Sequence, residues 1–340
     1  MAIRLSICMI VRDEADELPR CLASIEGVGD ELVVVDTGSR DATPELAEAA
    51  GARLVRIAWP NDFAAARNVS VEAATGDWCL VIDADEELSP MMRAGLRTTI
   101  ERADAAGLMG LSIVQRNLSA PGELTTWEDL PLVRVFRRAP GVRYEGRIHE
   151  QVAPSIVRAG GEIGATELYL LHHGYARTTA QGGIDRARRN LGLIEDALRE
   201  TPDDAYLLYQ LGATQKAIGD PEAVASLERA LEVDARAAVP VLVGEAEAVA
   251  RMKLAQLALA RGDDRRAADE ARRCLAIRPA NITALQITVV TGVTLGRLSE
   301  AIDAGQLLLR LPNVAEHVRD DLSRLLPMML AQVPGRRTRR

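Results

Sequence analysis

The chain has 340 residues, 48% apolar and 26% charged, with a formal net charge of −8. That length suits two domains of ordinary globular composition and excludes a mainly disordered chain, a collagen-like chain and a disulfide mini-protein. The acidic balance disfavours bulk nucleic-acid binding.

The opening run MAIRLSICMIVRDEADE is too short and too soon charged to read as a signal peptide. No stretch of about 18 or more apolar residues occurs, so no membrane span is expected. Cys8, Cys21, Cys79 and Cys274 sit in apolar surroundings with no C-x-x-C pair, and read as buried free thiols of a reducing cytoplasm.

The first half alternates strands and helices. Leu5–Val11, Leu32–Asp36, Arg53–Ile57 and Trp78–Asp83 fit buried parallel strands. Glu14–Ile25, Thr43–Ala50 and Asp62–Ala74 fit the helices between them. This order predicts a parallel sheet with helices on both faces and ligands beyond the carboxyl ends of the strands. Attention falls on Arg12–Asp13, Asp36–Asp41 and Asp83–Glu87. From Gly107 to about Tyr175 the pattern is more β-like, with strands at Leu108–Val114, Leu132–Arg137 and Glu167–His172.

From about Asp185 the chain is nearly all helical. Gly262 and Gly296 lie 34 residues apart, each followed by a small residue, Ala267 or Ala301. An earlier copy with Gly212, Gly219, Ala223 and Ala230 is displaced by about nine extra residues around Ala235–Gly244. A period of 34 resembles the tetratricopeptide repeat, against the plainer reading of an irregular helical bundle.

The sharpest chemical feature is Asp83-Ala84-Asp85-Glu86-Glu87 at the end of an apolar strand. Consecutive carboxylates repel unless something positive arrives, and oxygen ligands favour Mg²⁺ or Mn²⁺. Asp36 adds a carboxylate on the same rim. H-E-x-x-H, G-x-G-x-x-G, Walker A and nucleophile-elbow patterns are absent.

VVVDTGSRDAT, DFAAARN and GDWCLVIDADEEL, in that order over about the first 90 residues, resemble the inverting glycosyltransferases of family 2. GRIHEQV and LHHGY resemble a cytosolic subgroup that often carries tetratricopeptide-like repeats. That subgroup includes enzymes of polysaccharide or lipopolysaccharide assembly and enzymes that glycosylate bacteriocin peptides on Cys or Ser. The resemblance implies an α/β GT-A nucleotide-sugar domain at 1–178 and a helical repeat domain at 185–330. The basic tail 331–340 is expected to be flexible and solvated.

Residue by residue, the resemblance implies that Asp36 meets the uracil of a UDP-sugar, Arg12 and Arg67 lie near the nucleotide or diphosphate, and Asp83 touches ribose or sugar. Asp85 would ligate the metal, with His172, or less readily His173, as an extra ligand. The base on the acceptor side is expected to be Glu150, with Glu128 and Asp129 as runners-up, and His149 orienting the base or touching phosphate. For each histidine a structural role weighs as much as a functional one. Trp127 is a candidate for acceptor stacking. The acceptor is expected to be Ser, Thr or Cys of a peptide or protein, or else a glycan or lipid-linked sugar. The repeats would bind extended peptide or pair with a second copy. The rival of another class is a tetratricopeptide adaptor with a degenerate transferase domain.

Overall fold

The computed structural model describes residues 3–118, 127–174, 180–237, 241–242, 244–312 and 314–333. It divides into two units, Met1–Gly183 and Ile184–Arg340. In the first unit the elements run β1 (Leu5–Val11), α1 (Leu18–Ile25), β2 (Glu31–Asp36), α2 (Thr43–Ala49), β3 (Arg53–Arg56), α3 (Phe63–Ala73), β4 (Trp78–Val81) and β5 (Glu86–Leu88). α4 (Pro90–Ala105), β6 (Gly110–Leu118), β7 (Trp127–Arg137), α5 (Ala153–Arg158) and β8 (Ile163–His172) follow.

The strands form one sheet in the order β3-β2-β1-β4-β7-β6-β8-β5. β3, β2, β1 and β4 are parallel. Leu5, Ile7, Met9 and Val11 pack with Leu18 of α1 and Leu96 of α4 on one face. Cys8, Cys79 and Val81 pack with Val71 of α3 on the other. With both faces covered, the strand sequences read as unbroken apolar runs.

Past β4 the sheet becomes mixed. β7 is antiparallel to β4 and β6, β8 is parallel to β6, and β5 is antiparallel to β8. The expectation of a parallel sheet therefore holds for the half built from crossover helices. β6 and β7, consecutive among the described elements, pair antiparallel. Their register slips: Leu111 faces Val135, but Ser112 faces Val133. Arg134 is the extra residue of this β-bulge. The slip reverses the faces, so Val135 enters the core beside α1 and α4 while Val133 packs on the side of α3.

The helix expected from Glu14 begins only at Leu18. The amides of Glu14 and Ala15 are taken by Thr43 Oγ1 (2.8 Å) and Asp41 Oδ2 (3.0 Å), which holds that stretch as a loop. Pro19 in the first turn starts the helix without needing its own amide bonded.

The second unit contains most of α6 (Ala180–Glu200), then α7 (Ala205–Ala217), α8 (Ala223–Arg236), α9 (Glu245–Ala260), α10 (Asp264–Ile277), α11 (Ile282–Thr294), α12 (Leu298–Arg310) and α13 (Glu316–Ala331). Three helical hairpins, α7–α8, α9–α10 and α11–α12, turn at Gly219, Gly262 and Gly296, with φ of 75°, 75° and 70°. A side chain in that left-handed conformation is strained, so glycine is the residue that ends the first helix of each pair. Ala223, Ala267 and Ala301, at the start of each second helix, are fully buried. The pairs pack closely: a Cβ on Gly212 would lie 2.6 Å from Leu227 Cγ, and one on Gly292 would lie 2.8 Å from Ala301 Cβ. The extra residues of the first copy join α8 to α9, where buried Asp234 accepts from the amides of Val241 (2.6 Å) and Leu242 (2.9 Å).

All four cysteines are buried and free. Among the described residues no helix is long and apolar enough to cross a membrane. The tail expected at 331–340 lies outside the described residues beyond 333, as do Tyr175 and residues 176–179.

Candidate active site

Three stretches of chain converge beyond the carboxyl end of β4. The first is the turn Asp83–Glu86, which closes on itself: the Glu86 amide donates to Asp83 O (3.0 Å) and the Asp83 amide to Glu86 Oε2 (2.8 Å). The second is α3, whose start is capped by Asp62 accepting from the Ala65 amide (2.8 Å). The third is the loop after β7. There Glu145 and Gln151 exchange two backbone hydrogen bonds at 3.0 Å, closing a small loop that carries Glu150. Gly146 (φ 97°) and His149 (φ 56°) make its tight bends.

α3 presents two consecutive side chains to this junction. Asn68 clamps the backbone of Tyr144 from both sides, donating to its carbonyl (3.0 Å) and accepting from its amide (2.8 Å). Arg67, 5% exposed, pairs with Glu150 through Nε and with Asp83 through Nη1 (2.8 Å) and Nη2 (3.2 Å). The Nη1 contact is an ion pair off the hydrogen-bond line, which leaves that nitrogen without a hydrogen-bonding partner. The Arg67 guanidinium lies 5.7 Å from the centre of the Tyr144 ring, and the buried Tyr144 hydroxyl has no hydrogen-bond partner among the described residues.

A second arginine enters from the bulge in β7. Arg134 Nη2 donates to Asp83 Oδ2 (3.0 Å) and to Glu86 Oε1 (3.2 Å). Burial alone would raise the Asp83 pKa, but Arg67 and Arg134 hold its carboxyl far below the usual carboxylate range. Glu86 is fully buried, and burial pushes its carboxyl up to about 7 against the pull of Arg134.

Asp85 stands in the same turn, 3.2 Å from His172 at the end of β8. His172 Nδ1 lies 2.7 Å from Asn117 Oδ1, an oxygen that also accepts from Gln115 Nε2 (3.0 Å). That oxygen assigns the proton to Nδ1 and turns Nε2 toward the carboxylate. A neutral His172 then points a lone pair at Asp85, an arrangement that a proton or a cation between them relieves. Gly174 leaves the approach open, since a Cβ there would fall 2.4 Å from Asp85 Oδ2 and 2.8 Å from His172 Nε2. The Asp85 carboxylate is a ligand suited to Mn²⁺ or Mg²⁺, and His172 places an imidazole nitrogen beside it. Among the described residues no group of three or more His, Cys, Asp or Glu side chains is placed to hold a metal ion. His173 pairs with Glu87 instead (3.1 Å).

The other candidates are more dispersed. Asp36 is buried at the end of β2 and accepts from the Ser39 amide (3.0 Å) and hydroxyl (2.5 Å). Ser39 Oγ also receives the Asp13 amide (3.0 Å), which laces the loop after β1 to the loop after β2. Arg12 is half exposed, with its Nε 3.9 Å from Asp13. Glu128 and Asp129 lie in β7 opposite Asn117 and Arg116, so Glu128 is level with His172 two strands away. Their side chains and that of Trp127 lie outside the described residues.

The geometry thus joins Arg67, Asp83 and Glu150 in one network and Asp85 with His172 in an adjoining pair. Sequence reasoning missed Arg134, Glu86, Asn68 and Tyr144. One signal for Arg134 was present, a single cation inside the apolar run Leu132–Phe136. Glu86 could not be told from its acidic neighbours.

Residues 6–139 match the model described as glycosyl transferase family 2. A TPR repeat-containing protein of Synechococcus elongatus is 41% identical over 228 residues, covering 65% of this chain and 54% of that protein. The SPbeta prophage-derived glycosyltransferase SunS of Bacillus subtilis is 26% identical over 231 residues, covering 66% of this chain and 52% of SunS. The chain therefore spans about half the length of these relatives. A mannosyltransferase of Pyrobaculum calidifontis, solved with GDP-Man and Mn²⁺, aligns at 18% identity and a TM-score of 0.44 over 83% of this chain and 87% of that one.

Proposed function

We propose that the chain is a metal-dependent inverting glycosyltransferase that moves a hexose or N-acetylhexosamine from a UDP-sugar to Ser, Thr or Cys of a peptide or protein. The observation that carries this reading is the single arginine, Arg67, tied at once to Asp83 beside the Asp85–His172 pair and to Glu150 on the opposite loop. Donor-side and acceptor-side carboxylates are thereby fixed relative to each other, which is what an in-line displacement needs. Similarity to SunS and to a repeat-containing protein supports the family and the repeats.

Asp85 and His172 would hold Mn²⁺ or Mg²⁺, which when bound neutralises the charge growing on the leaving diphosphate. Asp36 accepts from the base, Arg12 and Arg67 face the nucleotide or diphosphate, and Asp83 orients ribose or sugar. Glu150, ion-paired with Arg67, takes the proton from the acceptor oxygen or sulfur as that atom bonds to the anomeric carbon. The bond from that carbon to the phosphate oxygen breaks, and UDP leaves with its electron pair. His149 steadies the Glu150 loop.

Calorimetric titration of UDP with and without Mn²⁺, on the native chain and Asp85→Ala, tests the site. Metal-dependent binding that Asp85→Ala abolishes supports it. UDP that fails to bind with or without the metal removes it, and another nucleotide or the adaptor with a degenerate transferase domain then takes its place.

A further inference from the structure

We propose that Arg134 is a positioning residue of the donor site, a staple that holds the Asp83–Glu86 turn and thereby sets where Asp85 meets the metal; this rests on the nucleotide-sugar reading above. Arg134 arises inside an apolar strand, where a guanidinium is costly to bury unless it is paired. It is also the extra residue of the β6–β7 bulge, the device that turns a strand side chain out of its normal alternation. Its Nη2 alone spans the turn, touching the carboxylates at both ends, Asp83 (3.0 Å) and Glu86 (3.2 Å). Asp85 lies between those two ends, while the hydrogen bonds and ion pairs of Arg134 go to Asp83 and Glu86.

A role confined to stability would not require this arrangement. A packed apolar side chain holds a strand without the desolvation cost, and a residue in register needs no bulge. Placing one cation under both ends of a four-residue acidic turn does what such packing does not: it fixes the spacing of carboxylates that otherwise repel.

The test is UDP titration in Mn²⁺ on the full chain, comparing wild type, R134Q, R134K and D85A, with the melting temperature of each. In R134Q the affinity for UDP in Mn²⁺ falls by about tenfold or more, toward the D85A floor. R134K restores the charge without the reach of the guanidinium, and its affinity falls between R134Q and wild type. A folded R134Q that binds UDP as wild type does, whatever its melting temperature, overturns the proposal. Where R134Q does not fold, R134K decides, and a wild-type affinity there overturns it equally. Wild type failing to bind UDP in Mn²⁺ sinks the donor-site reading itself, whereas wild type binding with unchanged variants sinks only the role of Arg134.

Discussion

Glu150 and His149 are neighbours held in one tight loop, yet their expected contributions separate cleanly. Glu150→Gln keeps an oxygen for Arg67 Nε and removes the proposed base. Turnover should fall by about 10²–10⁴-fold, with UDP affinity in Mn²⁺ unchanged, as parallel kinetics and calorimetry would check. A variant that loses UDP binding instead would make Glu150 a binding residue. Burial lowers the His149 pKa below its ordinary 6.5. The folded chain then binds that proton less readily than the unfolded chain does. The contribution to stability is whole above about pH 6.5 and is lost as pH falls through that value toward the lower folded pKa. Asn tolerates the left-handed backbone at this position, so His149→Asn should flatten that acid limb in denaturant titrations between pH 7 and pH 5.

At the level of elements, the repeat glycines give the plainest stability test. Gly262→Ala puts a Cβ on a left-handed residue with open space around it, and should cost about 1–2 kcal/mol through backbone strain alone. Gly212→Ala meets Leu227 at 2.6 Å and should cost about 1–3 kcal/mol through crowding between α7 and α8. Urea denaturation distinguishes the two mechanisms through a double-mutant cycle, because Leu227→Ala, itself costly at a buried site, should be non-additive with Gly212→Ala and additive with Gly262→Ala. Gly262 was legible in the sequence because its spacing of 34 from Gly296 repeats a local requirement. The parallel strands were legible because burial on both faces leaves an unbroken apolar run. The antiparallel half was less so. β7 takes its place through pairing with β4 and β6, and Arg134 reaches the site through a register slip that involves residues far apart in sequence. The motif residues Arg67, Asp83 and Asp85 could be read as a group. That Glu150 shares an arginine with Asp83 depends on a contact across 83 residues of chain, which no local pattern encodes.

On the scale of the whole molecule, two units with separate cores imply that unfolding need not be a single transition. Ligand that binds the folded first unit raises its stability by about 2.7 kcal/mol at a hundredfold excess over Kd. Scanning calorimetry with UDP and Mn²⁺ should therefore shift one transition upward and leave the other in place. A uniform shift would mean that the units unfold together. The four buried thiols offer a way to see which part opens. Cys8, Cys21 and Cys79 lie in the first unit and Cys274 in the second, and burial pushes the thiol pKa of Cys21 and Cys274 upward. In the native state all four are shielded from alkylation, so each adduct records an opening event. An adduct on Cys274 alone marks an excursion of the repeats, and three adducts appearing together mark the sheet coming apart. The molecule thus carries its own register of local opening, readable by mass without any introduced label.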